Sequence, residues 1–285
     1  MSSFTKAAAL AALLPLALTG TPPVCSPSTA DLSCSGSSTN TCCINSPGGL
    51  LQQVQFWDTS PSTGPSTSWT IHGLWPNNCD GTYSESCDSS RAYTDITTLL
   101  QNAGQTQALS FMDTYWVSDD ESNEKFWEHE WSTHGTCIST LEPSCYSGYK
   151  KGEEAVDFFV KVVSLFQTLP TYTWLKNAGI TPSSSKTYKL SAMQSALESA
   201  FGAPVILLCQ DTNVVYEIYY AFHVEGSVQN GTWVPTSNEG SSSNCPSTVK
   251  YPPKGTETSG TMAMRPARED VQGMAASSST EHVEL

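Results

Sequence analysis

Cations are scarce in this chain. Against 27 Asp and Glu stand 13 Lys and Arg, for a formal net charge of −14. The basic face with which most nucleic-acid-binding domains neutralise phosphates is therefore missing. Long apolar runs are scarce too. Beyond the first twenty residues no segment approaches the about 20 apolar residues that a bilayer span needs, which excludes a membrane-spanning reading. No G-x-S-x-G marks a serine nucleophile. No C-x-x-C marks a zinc site, and the closest cysteines, Cys42 and Cys43, are adjacent. Histidine is limited to five residues, so its clustering is informative.

What is present points to the secretory route. Lys6, the apolar run from Ala7 to Leu18 and the small residues that follow read as a signal peptide over residues 1–20. Ten cysteines, an even number in a chain that has left the cytosol, imply disulfides whose connectivity the spacing leaves open. Asn230–Gly231–Thr232 is an N-glycosylation acceptor. The expected address is extracellular, with a vacuole or lysosome also compatible.

Residues 21–49 are rich in Ser, Thr, Pro and Gly and hold four cysteines, the pattern of a disulfide-pinned loop region. Leu51–Trp57 and Trp69–Trp75 read as strands, as do the β-branched and aromatic runs Val205–Cys209 and Val214–Val224. Asn123–Thr133 has helical character, with Glu124 in its first turn and Gly135 as a stop. Glu153–Leu169 carries Val156, Phe159, Val160, Val163 and Phe166 at helical spacing, and Ser191–Phe201 is a further helix ended by Gly202. The expected fold is α+β, an antiparallel sheet with packed helices in a single disulfide-rich domain over residues 21–245. Residues 246–285 have little apolar periodicity and read as a flexible tail.

Three of the five histidines fall in two short blocks, Ser68–Trp69–Thr70–Ile71–His72–Gly73–Leu74–Trp75–Pro76 and Phe126–Trp127–Glu128–His129–Glu130–Trp131–Ser132–Thr133–His134–Gly135–Thr136–Cys137. The second resembles the H-E-x-x-H zinc signature with one residue inserted. At about 100° per residue, a five-residue spacing splays two helical histidines by roughly 140°, so a helical zinc pair is not expected and no metal is assigned. Glu130 and His134 are instead four apart, where the carboxylate orients the imidazole or favours its charged form. Histidines beside a carboxylate supply the parts for acid–base catalysis. Cleaving RNA through its own 2′-hydroxyl needs a base there, an acid at the departing 5′-oxygen, and groups that steady the charged phosphorane.

Both blocks closely resemble the two active-site segments of the ribonuclease T2 family, secreted acid endoribonucleases, and the likeness covers about residues 25–245. The resemblance implies that His134 is the general base and His72 the general acid. It also implies that His129 binds the phosphate, assisted by Glu130. Trp75, Asn77 and Tyr83 would lie where the base before the cut is held, and Phe126 where the following base is held. Trp69, Trp127 and Trp131 are read as core. The cysteine order is similar to that of fungal members, implying Cys25–Cys43, Cys34–Cys79, Cys42–Cys145, Cys87–Cys137 and Cys209–Cys245, with Cys42 and Cys43 exchangeable. The implied substrate is single-stranded RNA. No cofactor, no DNA partner and a monomeric state are expected.

Two residues depart from the family pattern. Thr133 stands where lysine is usual, replacing a cation beside the transition-state charge with one neutral hydroxyl. Asn77 stands where aspartate is frequent, so an acceptor is replaced by a group that also donates. An alternative of another class follows from Thr133: a catalytically weakened ribonuclease fold acting as a secreted binding or signalling factor.

Overall fold

The computed structural model describes residues 20–26 and 31–255. The expected signal segment lies outside them except for Gly20, as do residues 256–285 of the expected tail.

In chain order the elements are β1 (Leu50–Phe56), β2 (Thr70–Asn77), α1 (Ile96–Asn102), α2 (Thr106–Tyr115), α3 (Asn123–Thr133), α4 (Glu153–Thr168), α5 (Thr171–Asn177), β3 (Thr187–Lys189), α6 (Leu190–Phe201), β4 (Ile206–Gln210), β5 (Val214–Glu225), β6 (Thr232–Thr236) and β7 (Thr248–Lys250). The sheet runs β2-β1-β5-β7-β3, and β4 and β6 pair with successive halves of β5. Pairing is antiparallel apart from one parallel contact, Val214 with Lys250.

Helices cover both faces, which gives two cores. On one face α1 to α4 pack Trp116, Trp127, Trp131, Phe158 and Phe159 against Val54, Leu74 and Tyr219. On the other, α5 and α6 bury Leu175, Met193 and Leu197 with Trp57, Trp69, Tyr220 and Tyr251. Every residue of β1 and β2 is consequently buried, unlike an antiparallel sheet with one wet face. The glutamines of β1 tolerate this because they are bonded: Gln55 Nε2 donates to Gln53 Oε1 and Leu169 O, and Gln55 Oε1 accepts from Thr171 Oγ1.

Five disulfides tie the loops to this frame: Cys25–Cys43, Cys34–Cys79, Cys42–Cys145, Cys87–Cys137 and Cys209–Cys245. The domain boundary expected at 245 falls inside the fold. Val249 and Tyr251 are fully buried, Tyr251 accepts from Trp69 Nε1 (3.0 Å), and Trp57 Nε1 donates to Pro252 O (2.8 Å). Lys254 Nζ donates to Thr63 O and Ser68 O. A short strand with one buried residue is too brief for a periodicity argument, and this one depends on partners far away in sequence. Among the described residues no helix is long and apolar enough to cross a membrane.

Candidate active site

The two histidine blocks meet where the C-terminal half of α3 lies against β2. Ser122 caps α3 by accepting from Lys125 N (3.3 Å). Two indoles fix the helix in register: Trp127 Nε1 donates to Trp116 O (2.8 Å) and Trp131 Nε1 to Arg91 O (2.6 Å). Each removes about 150–250 Å² from water, on the order of 4–6 kcal/mol at about 25 cal/mol per Å² before ordering costs. His134 is the C-cap, its N–H donating to Glu130 O (3.2 Å). The turn just after it is pinned by Cys87–Cys137.

His72 occupies a β-bulge. Val54 pairs with Gly73 and Gln55 with Ile71, so His72 is the extra residue of β2 between them. Its ring stacks on Phe56 (3.9 Å) and meets Trp75 edge-on (4.7 Å). Two buried carboxylates flank it. Glu217 Oε1 lies 2.7 Å from Nδ1, and Glu130 Oε1 lies 3.4 Å from Nε2. Burial alone would lower the pKa of this imidazole. Glu130 and then Glu217 overcome that, and raise it to about 10. Glu130 is fully buried, and its other oxygen accepts from Trp75 Nε1 (3.2 Å).

The glycine that follows histidine in each of the two blocks has a steric cause. A Cβ on Gly73 would overlap Glu130 Oε2 and lie 2.8 Å from Glu130 Cδ. A Cβ on Gly135 would strike the ring of Trp131, 2.8 Å from Cζ3. Glycine at each position is the space that the carboxylate and the indole occupy.

His134 is buried and its ring packs 5.1 Å from that of Trp75. His129 is exposed on the cleft wall, its ring 6.1 Å from that of His134. Thr133 is buried, with Oγ1 3.5 Å from His129 Nδ1. Along the same stripe of α3, one turn before His129, Lys125 is ion-paired with Glu128 (2.6 Å). His129, Glu130 and His134 each offer a ligand atom, all within 4.8 Å of one another. That is closer than the helical splay suggests, because His134 sits at the helix end rather than within it. Among the described residues these three form the group that could hold a metal ion, although Glu130 is already engaged by Trp75 and His72.

A cleft of about 320 Å³ opens over His72, His129, Glu130 and Phe126. Phe126, expected where the following base is held, lines this cleft with its ring 5.8 Å from that of His72. The lining also holds acidic residues outside the sequence expectations: Asp58 after β1, and Asp119, Asp120 and Glu121 before α3. Burial and the neighbouring Asp120 push the Glu121 carboxyl above the usual carboxylate range. Tyr83, 37% exposed, stands across an isolated bridge from Asn77, whose Nδ2 donates to Gln52 Oε1 (2.9 Å).

Trp75, expected where the base before the cut is held, is buried here, its indole N–H donating to Glu130 Oε2. Its ring lies 4.7 Å from that of His72 and 5.1 Å from that of His134. Glu217 is the functional residue that sequence reasoning missed. The available signal was a single carboxylate inside Val-Val-Tyr-Glu-Ile-Tyr-Tyr-Ala-Phe, an otherwise apolar strand in which an unpaired charge would be costly.

The Ribonuclease T2 family profile matches residues 48–252 of the chain. Ribonuclease Trv of Hypocrea rufa is 54% identical over 230 residues, 80% of this chain and 97% of that protein. Ribonuclease Le2 of Lentinula edodes is 54% identical over 233 residues, with the same coverage of 80% and 97%. Among solved structures, the crystal structure of Actibind, a T2 ribonuclease, superposes with a TM-score of 0.78 at 51% identity, covering 83% of this chain and 100% of that one. Ribonuclease MC1 from bitter gourd seeds shares the fold at a TM-score of 0.52 and 20% identity, over 71% of this chain and 99% of that one.

Proposed function

Because this chain belongs to the ribonuclease T2 family and is an endoribonuclease, we propose that it cleaves single-stranded RNA by transphosphorylation. The 2′-hydroxyl attacks the adjacent phosphorus, the bond to the 5′-oxygen breaks, and the resulting 2′,3′-cyclic phosphate is then hydrolysed to a 3′-phosphate.

The observation that carries this reading is the clamping of His72 between Glu130 and Glu217. An imidazole held as its cation can only donate, which suits it to protonate the leaving 5′-oxygen. His134 takes the proton from the 2′-hydroxyl. In the second step the roles reverse: His72, now neutral, takes a proton from water, and His134 returns its proton to the 2′-oxygen. His129 on the cleft wall holds the phosphate, and Glu130 keeps the cationic imidazole in place. Phe126 supports the base after the cut. Tyr83, beside Asn77, supports the base before it. Stacking accepts any base, which favours low sequence specificity.

The working range in this reading is acidic. His72 stays protonated well above neutrality, so the fall in activity with rising pH comes from elsewhere. The acidic cleft wall, where Glu121 is held above the usual carboxylate range, and the net charge of −14 repel the polyanion more strongly as the carboxylates ionise. Secretion after removal of residues 1–20, five disulfides and a glycan on the exposed Asn230 complete the proposal.

Incubating the purified protein with polyU and polyA at about pH 4–6 in EDTA tests it. Cleavage is the expected result. No cleavage, or cleavage abolished by EDTA, sinks the reading, and the second outcome would assign His129, Glu130 and His134 to a metal. The weakened-enzyme alternative rests on Thr133, a buried hydroxyl beside His129 where the family pattern carries a cation.

A further inference from the structure

Glu217 enters the site from β5, two strands away from His72 in the sheet, and three features converge to place it there. The second bulge of the sheet lies beside it: Leu208 pairs with Glu217 and Cys209 with Val215, so Tyr216 is the extra residue of β5. On its other side Glu217 pairs with Phe56 of β1, and the Phe56 ring lies stacked on the His72 imidazole. Tyr219, two residues on and on the same face of β5, donates its hydroxyl to Glu217 Oε2 (3.2 Å). Glu217 Oε1 is thereby left for His72 Nδ1 at 2.7 Å, with both side chains buried. The bulge in β2 offsets His72 from the regular ladder, while β1 and β5 pair without a shift and set Glu217 opposite Phe56.

We infer that Glu217 is a positioning residue for the reaction: it fixes the proton on Nδ1 of His72, so that Nε2 is the nitrogen that gives up and regains the transferred proton. The inference rests on the reading of His72 as proton donor and adds what sets its tautomer and orientation. With Nδ1–H committed to a buried carboxylate, the neutral ring left after donation has its lone pair on Nε2, facing the cleft. That is the form needed to take a proton from water in the second step. Phe56 closes one ring face, so rotation of the imidazole would break the Glu217 bond and lose the stacking together. The other charged and titratable groups around His72 are Glu130 and His129 from α3, His134 at its end, Asp58 after β1, and Asp119, Asp120 and Glu121 of the preceding loop. Glu217 meets His72 at Nδ1, whereas Glu130 faces Nε2.

The test has two arms. In the first, kcat and KM for a dinucleoside monophosphate are measured from about pH 4 to 9 in wild type, Glu217→Gln and Glu217→Asp. The glutamine still accepts from Nδ1–H but lacks the charge, so deprotonation of His72 moves into the assayed range. The expected result is a kcat that falls at least about tenfold more at about pH 8 than at about pH 5, with KM nearly constant. Partial recovery of the wild-type profile is expected in Glu217→Asp. A wild-type pH profile in Glu217→Gln, or an equal loss at every pH, overturns the inference. The second arm is nitrogen NMR of the imidazoles in the wild-type protein, which needs neither catalysis nor a variant that folds. His72 with Nδ1 protonated throughout and Nε2 titrating supports the inference. Titration at Nδ1, or a neutral Nε2–H ring, refutes it. A wild-type protein that cleaves no RNA would defeat the proton-donor reading, while the spectrum would still judge Glu217.

Discussion

Replacing Gly73 by alanine should disable the site without touching a chemical group. The φ of Gly73 is not in the left-handed region, so alanine carries no backbone penalty there. The added methyl would, however, occupy the volume of the Glu130 carboxylate, whose Cδ would lie 2.8 Å away and whose Oε2 would overlap it. Ordinary contact distances require the carboxylate to retreat by on the order of 1 Å, and a displacement of about that size can cost about 100-fold in rate. Retreat also breaks the Trp75 Nε1–Glu130 hydrogen bond and loosens the ion pair with His72. A buried donor left without an acceptor costs about 1–3 kcal/mol, and at about 2–4 °C per kcal/mol the melting temperature should drop by about 2–12 °C. Steady-state cleavage of a dinucleoside monophosphate and a thermal melt measure both effects. A double-mutant cycle with Glu130→Ala isolates the cause. Once the carboxylate is gone, alanine at 73 should add little further loss. If it costs as much in the Glu130→Ala background as in wild type, the argument from the carboxylate is wrong.

Three further outcomes follow from the same geometry. Thr133→Lys restores a cation beside His129, so kcat/KM should rise by about 10- to 100-fold if the transition state lacks charge compensation; no gain in the same cleavage assay would mean that the site already compensates. Neutralising the cleft wall in Asp119→Asn/Asp120→Asn/Glu121→Gln should raise kcat/KM at about pH 7 several-fold at low salt. That advantage should shrink at high salt, where the repulsion is screened. Ending the chain after Cys245 removes the buried Val249 and Tyr251 and the acceptors of Trp57 and Trp69. At about 3–5 kcal/mol for the lost aromatic alone, the shortened protein should melt at least about 10 °C lower, as followed by circular dichroism.

Where the sequence was legible, one local signal governed one element. The stripe of Val156, Phe159, Val163 and Phe166 marks α4 because a single helix face decides its burial. The first-turn Glu124 and the stop at Gly135 mark α3 over the same Asn123–Thr133 span that the structure shows. The legible site residues are those contributed by contiguous segments, His72 from one block and His129, Glu130 and His134 from the other. Glu217 stayed hidden because it joins His72 across β1, an approach set by pairing between strands far apart in the chain and by the bulge in β2. The acidic cleft wall was hidden for the same reason: Asp58 and Asp119–Glu121 are far apart in the chain and converge only once α3 docks on β2. The burial of Trp75 was not legible because it depends on helices packed on its face of the sheet, which a strand-length pattern does not report. The short β7 owes its position to Val249 and Tyr251, two buried side chains in a polar stretch.

The central claim is that Nε2 of a cationic His72 protonates the 5′-oxygen during attack by the 2′-hydroxyl. Its most direct test is phosphorus NMR of a dinucleoside monophosphate treated with wild type and with His72→Ala in EDTA, alongside the 2′-deoxy analogue. The account predicts that a 2′,3′-cyclic phosphate accumulates before the 3′-phosphate with wild type, that His72→Ala is at least about 1,000-fold slower, and that the deoxy analogue stays intact. Cleavage of the deoxy analogue, or 3′-phosphate formed with no cyclic intermediate, would contradict it.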